Sequence, residues 1–308
     1  VKAVVDIGSN TVKFVAGRFS RSALELIDSG SWTTRLGRNL DKNGGLLEAA
    51  SLTLTRQALE AIGRQLGALN PPPERFFVAA TAAARNAKNS HELAQMVQEV
   101  LGVPLSVLSG QEEALWSMRG AQMAATLALG SCSDALYVDV GGASTEVGFL
   151  DPEPLAHSFD AGAVKCHEGL GLDKLPVSDA TWSAAKREIA RYFPKKHLAP
   201  LLNHAGEWKR PVVAVGGTLL MASRLCPGSV EHETGIEVEA DQLIALNEKL
   251  RTLDLEGRCA LPHIDRSRAD ILCAGVLCLT HLLETFSLNK IFVTAWGWRY
   301  GLLADEQP

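Results

Sequence analysis

The chain has 308 residues, 46% hydrophobic and 21% charged, a globular balance that excludes disordered and fibrous classes and suits two ordinary domains. A formal charge of −5 excludes the global basic field that draws a protein to DNA or RNA, so a polyanionic ligand would have to meet a local group of basic side chains. The six cysteines contain no CxxC pair, which excludes a zinc cluster and argues against a disulfide framework, leaving a reducing cytoplasm as the expected location.

Taken in chain order, Val1 to Asp6 is a short strand-like run and does not read as a signal peptide. Val4 to Val15 reads as a hairpin with Asp6 at the end of its first strand and Gly8-Ser9-Asn10-Thr11 in the turn. Leu47 to Leu69 has helical spacing and stops at Asn70-Pro71-Pro72-Pro73. Phe76 to Ala80 is a buried strand, Ser90 caps a helix over His91 to Leu101 closed by Gly102, and Pro104 to Leu108 is a strand. Glu112 to Leu129 is a long helix able to carry the chain from one lobe to the next.

The second half opens as the first did. Tyr137 to Phe149 is a hairpin with Asp139 ending its first strand and Gly141-Gly142-Ala143-Ser144 in the turn. The two Asp stand nearly half the chain apart, which points to a duplicated domain. A strand near His157 to Phe159, a helix over Ser178 to Tyr192 and the strand Pro211 to Val215 follow, the last running into Gly216-Gly217-Thr218. Arg266 to Phe286 is helical and mostly apolar, Lys290 to Thr294 a late strand, and Gly297 to Leu303 leads into a final helix. The apolar part, Ile271 to Leu283, is too short and too mixed to span a membrane. Helices alternating with strands give an α/β architecture with a largely parallel sheet in each lobe. The expected division is 1–123 and 124–308, and it leaves open that the final helix packs back on the first lobe.

Binding phosphate without a dedicated lysine loop takes several backbone N–H groups aimed at one place, and small residues let the backbone come close enough. The turns at Gly8, Gly141 and Gly216 each follow an apolar strand, two of them with Asp two residues before the first Gly. Mg²⁺ binds one or two carboxylates together with phosphate oxygens and water, a demand that Asp6 and Asp139 facing each other over a phosphate chain would meet; each could equally cap only its own turn. Glu112 and Glu113 open a helix after a strand, where one could position a water, but carboxylates are favoured there by the helix dipole alone. Arg35, Arg38, Arg85, Lys88 and Lys165 are the basic candidates for a polyanion, Arg through its planar fork and Lys as a point charge. The eight histidines show no metal-binding spacing.

In order along the chain, Asp6-Ile7-Gly8-Ser9-Asn10-Thr11, Arg35-Leu36-Gly37, Ala80 to Ala87, Ser109-Gly110-Gln111-Glu112-Glu113-Ala114, Asp139 to Glu146, Gly162-Ala163-Val164-Lys165, Gly216-Gly217-Thr218 and Gly297 to Leu303 resemble the Ppx/GppA family of exopolyphosphatases and guanosine pentaphosphate phosphohydrolases. That family lies in the actin–sugar kinase–Hsp70 superfamily. The resemblance implies two ribonuclease H-like lobes with a cleft between them. It implies a Mg²⁺- or Mn²⁺-dependent hydrolase acting on inorganic polyphosphate or pppGpp, with no DNA or membrane partner and a homodimer left open. By resemblance Glu113 is the base for the attacking water and Arg85 a phosphate-binding arginine. The resemblance makes Asp139 the metal-linked carboxylate, Glu146 a further carboxylate near the metal, and Gly141, Gly142 and Ser144 the phosphate-cradling loop. The reading of the turns and basic residues adds Asp6 to the expected metal ligands and Gly8, Ser9, Asn10, Ala143, Lys165, Gly216, Gly217 and Thr218 to the expected phosphate-binding residues.

Ala143 stands where the family has a third glycine, Lys165 where it has arginine, and Trp298 and Tyr300 where Leu and an acidic residue are common. The chain resembles the short, two-domain form. Exopolyphosphatase is the expected activity; pppGpp 5'-phosphohydrolase and a non-catalytic sensor of (p)ppGpp or polyphosphate are the alternatives.

Overall fold

The computed structural model describes residues 1–20, 23–69, 75–130, 132, 135–151, 153–205 and 211–305. The chain divides into two compact units, Val1–Trp116 with Trp298–Pro308, and Ser117–Gly297. The proline-rich stop expected at Asn70 to Pro73 lies outside the described residues.

In the first unit β1 (Lys2–Ile7), β2 (Thr11–Ser20), β3 (Ala23–Thr33), β4 (Arg75–Ala80) and β5 (Leu105–Val107) form one sheet in the order β3-β2-β1-β4-β5. Helices α1 (Ala49–Gly67), α2 (Ala82–Asn86) and α3 (Ser90–Leu101) complete the crossovers, and α4 (Gly110–Leu129) follows. In α1 the buried residues Leu52, Thr55, Leu59, Ile62 and Leu66 recur every three or four positions. That spacing puts a single stripe of the helix against the sheet. Asn89, not Ser90, is the residue that precedes α3, and Gly102 ends the helix at φ 72°, a left-handed position that glycine takes without strain.

The second unit repeats the plan. β6 (Leu136–Val140), β7 (Thr145–Phe149), β8 (Leu155–Phe159), β9 (Val212–Val215), β10 (Val230–His232), β11 (Gly235–Glu239) and β12 (Lys290–Thr294) form a sheet ordered β10-β11-β12-β9-β6-β7-β8. Its helices are α5 (Ala163–Gly169), α6 (Asp179–Glu188), α7 (Lys195–Ala205), α8 (Gly217–Arg224), α9 (Ala240–Arg251), α10 (Leu255–Cys259) and α11 (Leu272–Phe286). The apolar stretch read from sequence becomes α11, buried on nearly every side and packed against α5, α8 and α9. Residues 266–268 form a separate short 3-10 turn before it. The final helix, α12 (Trp298–Ala304), lies against β1 and β2.

Strands β3-β2-β1-β4-β5 and β8-β7-β6-β9-β12 have the same order and the same directions: two antiparallel pairings, then two parallel ones. The fold is therefore α/β with a duplicated ribonuclease H-like lobe. The expectation of largely parallel sheets is overturned, because both sheets are mixed. Three consecutive strands joined by short turns can only pair antiparallel, and the parallel pairings begin where a helix supplies the crossover. Strands β3 and β10 escaped the sequence reading because their residues are largely exposed or polar, and β11 because its alternation of Ile236 and Val238 with Glu237 and Glu239 runs for only five residues.

Candidate active site

Both Asp-bearing turns close in the same way. In the first unit the Gly8 amide donates to the Thr11 carbonyl at 3.1 Å; in the second the Gly141 amide donates to the Ser144 carbonyl at 2.9 Å. These two glycine amides are thus committed to the turn and leave the gripping of a ligand to their neighbours. In the second unit the carbonyls of Gly141 and Gly142 accept from the Ala163 and Val164 amides of α5, at 2.9 and 2.7 Å. A trans peptide points its N–H opposite to its C=O. The amides of Gly142 and Ala143 therefore face away from α5, a pair of neighbouring donors on one side of the turn. Ala143 keeps that donor. Gly162 makes the close approach possible, since a Cβ on it would stand 2.5 Å from the Gly142 and Ala143 backbone.

The first turn is pinned from its own side. The Ser9 carbonyl accepts from Gly37 at 2.7 Å, and the Asn10 carbonyl from Thr34 and Arg35 at 3.0 Å. This places the Arg35-Leu36-Gly37 segment directly on the turn. The third glycine turn is the N-terminus of α8. Gly216 adopts φ 150° and donates to Thr294, so the free first-turn amides begin with Gly217 and Thr218. A side chain at Gly217 would collide with the guanidinium of Arg268. The helix end is thus joined by a cation that the sequence reading did not single out.

The paired glutamates separate into two roles. Glu112 accepts from the Ser109 amide at 2.8 Å and the Ser109 hydroxyl at 2.7 Å, while its own amide donates back to that hydroxyl at 3.2 Å. This is a capping box, and the Ser109-x-x-Glu112 spacing is its signal in the sequence. The hydrogen bonds from Ser109 lower the Glu112 pKa. Glu113 turns inward instead, 7% exposed, with its Oε2 3.2 Å from Nη1 of Arg85. The same Arg85 nitrogen donates to the Leu108 carbonyl at 2.5 Å, which fixes the guanidinium between the end of β5 and the start of α4.

The two aspartates stand in contrasting surroundings. Asp139 is directly opposite Glu146 across β6 and β7, and Glu146 directly opposite Ser158 across β7 and β8. The Ser158 hydroxyl donates to Glu146 at 2.7 Å, and the Ser117 hydroxyl of α4 donates to Asp139. Asp6 occupies the equivalent place in the first unit, opposite Lys13, which is opposite Ser31. Its Oδ2 lies 3.3 Å from Nη1 of Arg299 on α12. Asp6 is ion-paired with Arg299, whereas Asp139 stands opposite a carboxylate on the neighbouring strand.

Among the described residues no three or more His, Cys, Asp or Glu side chains gather into an ion-binding group. A magnesium-like ion does not need one, because it takes hard oxygen ligands and usually only one or two carboxylates with phosphate and water. Asp139 and Glu146 fit that requirement. Like charges directly opposite on a sheet are unfavourable unless something neutralises them. Lys165 does not point its charge at the glycine turn unaccompanied; its Nζ is paired with Asp160. Arg38 and Lys88 are exposed and Arg35 is half-buried.

A sequence profile of the Ppx/GppA phosphatase family matches residues 15–308. The chain belongs to the Ppx/GppA phosphatase family. Among its Ppx/GppA relatives is a protein of Mycobacterium tuberculosis named exopolyphosphatase 2, 28% identical over 295 residues that cover 91% of this chain and 89% of the relative. Another, from Pseudoalteromonas atlantica, is named guanosine-5'-triphosphate,3'-diphosphate pyrophosphatase. It is 26% identical over 98% of this chain, which spans 57% of that longer protein. The crystal structure of an exopolyphosphatase from Cytophaga hutchinsonii superposes with a TM-score of 0.80 at 20% identity, covering 98% of this chain and 96% of that one, and shows the same fold. Among the described residues no helix is long and apolar enough to cross a membrane.

Proposed function

We propose that the protein is an exopolyphosphatase that uses a divalent cation, Mg²⁺ or Mn²⁺, to remove terminal phosphate from inorganic polyphosphate. The observation that carries the reading is the separation of the paired glutamates. Glu112 is consumed in capping α4, whereas Glu113 is buried, held by Arg85 and left with a carboxylate suited to orienting and deprotonating a water.

In this reading the amides of Gly142 and Ala143 bind the terminal phosphoryl oxygens, and the first turn of α8 with Arg268 binds a further phosphate. Asp139 and Glu146 hold the cation, which when bound neutralises charge on the phosphoryl group. Positioning and charge neutralisation supply most of the acceleration in phosphoryl transfer. The proton of the attacking water passes to Glu113, and Arg85 keeps that carboxylate aimed. Asp6 enters the cation group only through its matching place at the first glycine turn. Its ion pair with Arg299 favours instead a role in holding the first turn in shape.

The second reading, hydrolysis of pppGpp, is favoured by the guanosine pentaphosphate-type relative, since both ligands present a terminal phosphoanhydride to the same groups. Phosphate release from long-chain polyphosphate, pppGpp and ATP, each with Mg²⁺ under identical conditions, tests the proposal. Release from polyphosphate well above the other two is expected. Release mainly from pppGpp would move the assignment to alarmone hydrolysis, and binding without release would leave a sensor.

A further inference from the structure

We propose that Ser117 is a positioning residue for Asp139, holding that carboxylate in the orientation in which it receives the divalent cation. The inference rests on the phosphohydrolase reading above for its cation, but not on which phosphoanhydride is cleaved.

Ser117 lies one helical turn beyond Glu113 on α4, at the point where the chain passes into the second unit. It is 1% exposed. A buried serine in a helix interior must satisfy its hydroxyl, and the usual acceptor is the carbonyl four residues back. Here the hydroxyl donates instead to Oδ2 of Asp139, on a different element. The bond is closed over by the Gly297 backbone: a Cβ at Gly297 would stand 3.2 Å from the Ser117 hydroxyl and 3.4 Å from Asp139 Oδ2. Gly120, one turn further along α4, is equally tight against Gly297; its Cβ would come within 3.0 Å of the neighbouring Trp296 carbonyl. Two glycines thus let α4 and the segment after β12 close together, and Ser117 is held between them in one place.

The consequence is chemical as well as structural. A hydroxyl is a neutral donor, so it fixes the carboxylate without cancelling its charge. An arginine in that position would do both, as Arg299 does at Asp6. Glu146 is treated alike by the Ser158 hydroxyl. Each carboxylate of the opposed pair therefore has one serine behind it. Such outer partners of a ligating carboxylate typically affect metal affinity by about 10- to 100-fold.

The test is Ser117→Ala in the full chain, with Ser117→Thr as the variant that retains a hydroxyl. Mn²⁺ binding to the protein alone is followed by electron paramagnetic resonance, and thermal unfolding is recorded beside it. Ser117→Ala is expected to weaken Mn²⁺ binding by about 10-fold or more, and to raise the cation concentration needed for half-maximal phosphate release by a similar factor. The KM for polyphosphate at saturating cation should change little. Ser117→Thr should recover most of the affinity. Unchanged Mn²⁺ affinity in Ser117→Ala, with only a lower melting temperature, would overturn the proposal and leave Ser117 a packing residue. So would the absence of measurable Mn²⁺ binding to the unaltered protein. Failure of the unaltered protein to release phosphate from any phosphoanhydride would instead defeat the proposed function, while the Mn²⁺ titration would still report on Ser117.

Discussion

Glu113→Gln is the substitution that most directly tests how the site works. Glutamine has the shape of glutamate and its amide oxygen can still accept from Arg85, so the loss is confined to charge and basicity. The Glu113 side chain is 9% exposed and its Arg85 partner 26%, so the pair is sheltered and water will not fully replace it. Exchanging a charge-assisted hydrogen bond for a neutral one in such a place costs about 1 kcal/mol. In a protein of this size that is a fall in melting temperature of about 1–2 °C. The effect on chemistry should be far larger. Loss of a general base lowers turnover by about 10²- to 10⁴-fold, equivalent to about 3–5 kcal/mol of transition-state stabilisation. The assay is phosphate release from polyphosphate under saturating Mg²⁺, with kcat and KM separated, beside a binding titration and thermal unfolding. A large fall in kcat with KM nearly unchanged marks an interaction made only in the transition state. Turnover within tenfold of the unaltered protein would refute the role, and loss of activity together with loss of the folded state would refute the claim that only charge was removed.

Gly162→Ala should place a methyl against the backbone of Gly142 and Ala143, costing about 1–3 kcal/mol of stability by overpacking and raising KM for phosphate ligands; an unaltered KM would show that this loop does not grip phosphate. Gly217→Ala is milder, because the atoms it meets belong to the flexible end of Arg268; it should displace the guanidinium and weaken polyphosphate binding with little change in melting temperature. Remote from these groups, burial disfavours the charge of Glu248, but hydrogen bonds from Lys186, Trp182 and Arg251 outweigh it and bring the pKa down from 4.5 to about 2. The contribution of Glu248 to stability is therefore full above about pH 4.5 and disappears as the pH falls towards 2. Acid titrations followed by circular dichroism should show Glu248→Gln less stable than the unaltered protein at neutral pH, the difference closing through that window.

The features legible in the sequence are those set by neighbours along the chain. An apolar strand ending in Asp-x-Gly and turning on small residues declares a hairpin by itself, and finding it twice gave the duplication. The Ser109-x-x-Glu112 spacing was equally local, and reading it as a capping box would have separated the two glutamates without a structure. Arg268, Arg299 and Ser117 were not legible, because each acquires its meaning from a partner far along the chain: Gly217, Asp6 and Asp139. A serine inside a helix or an arginine after a loop looks the same whether it faces solvent or a carboxylate. The commitment of the Gly8 and Gly141 amides to turn closure was hidden for a related reason. Composition shows that a backbone can approach a ligand, but only the hydrogen-bond pattern shows which amides are already spent.

Duplication supplies the same scaffold twice, and the flanking side chains give the two copies opposite electrostatic tasks. Around Asp139 the directly opposed residue is Glu146 and a neutral hydroxyl, that of Ser117, donates to the carboxylate, so two acidic side chains flank that turn. Around Asp6 the opposed residue is Lys13 and the added partner is Arg299, so one negative charge meets two positive ones. On the proposed function the first arrangement is the one suited to a divalent cation, and the second is the one suited to phosphate itself. On that reading cation dependence belongs to the second unit, and the basic side chains at the first turn give an affinity for phosphate that is screened by salt. Phosphate binding that survives removal of the divalent cation, but weakens steeply with ionic strength, is the behaviour this charge distribution dictates.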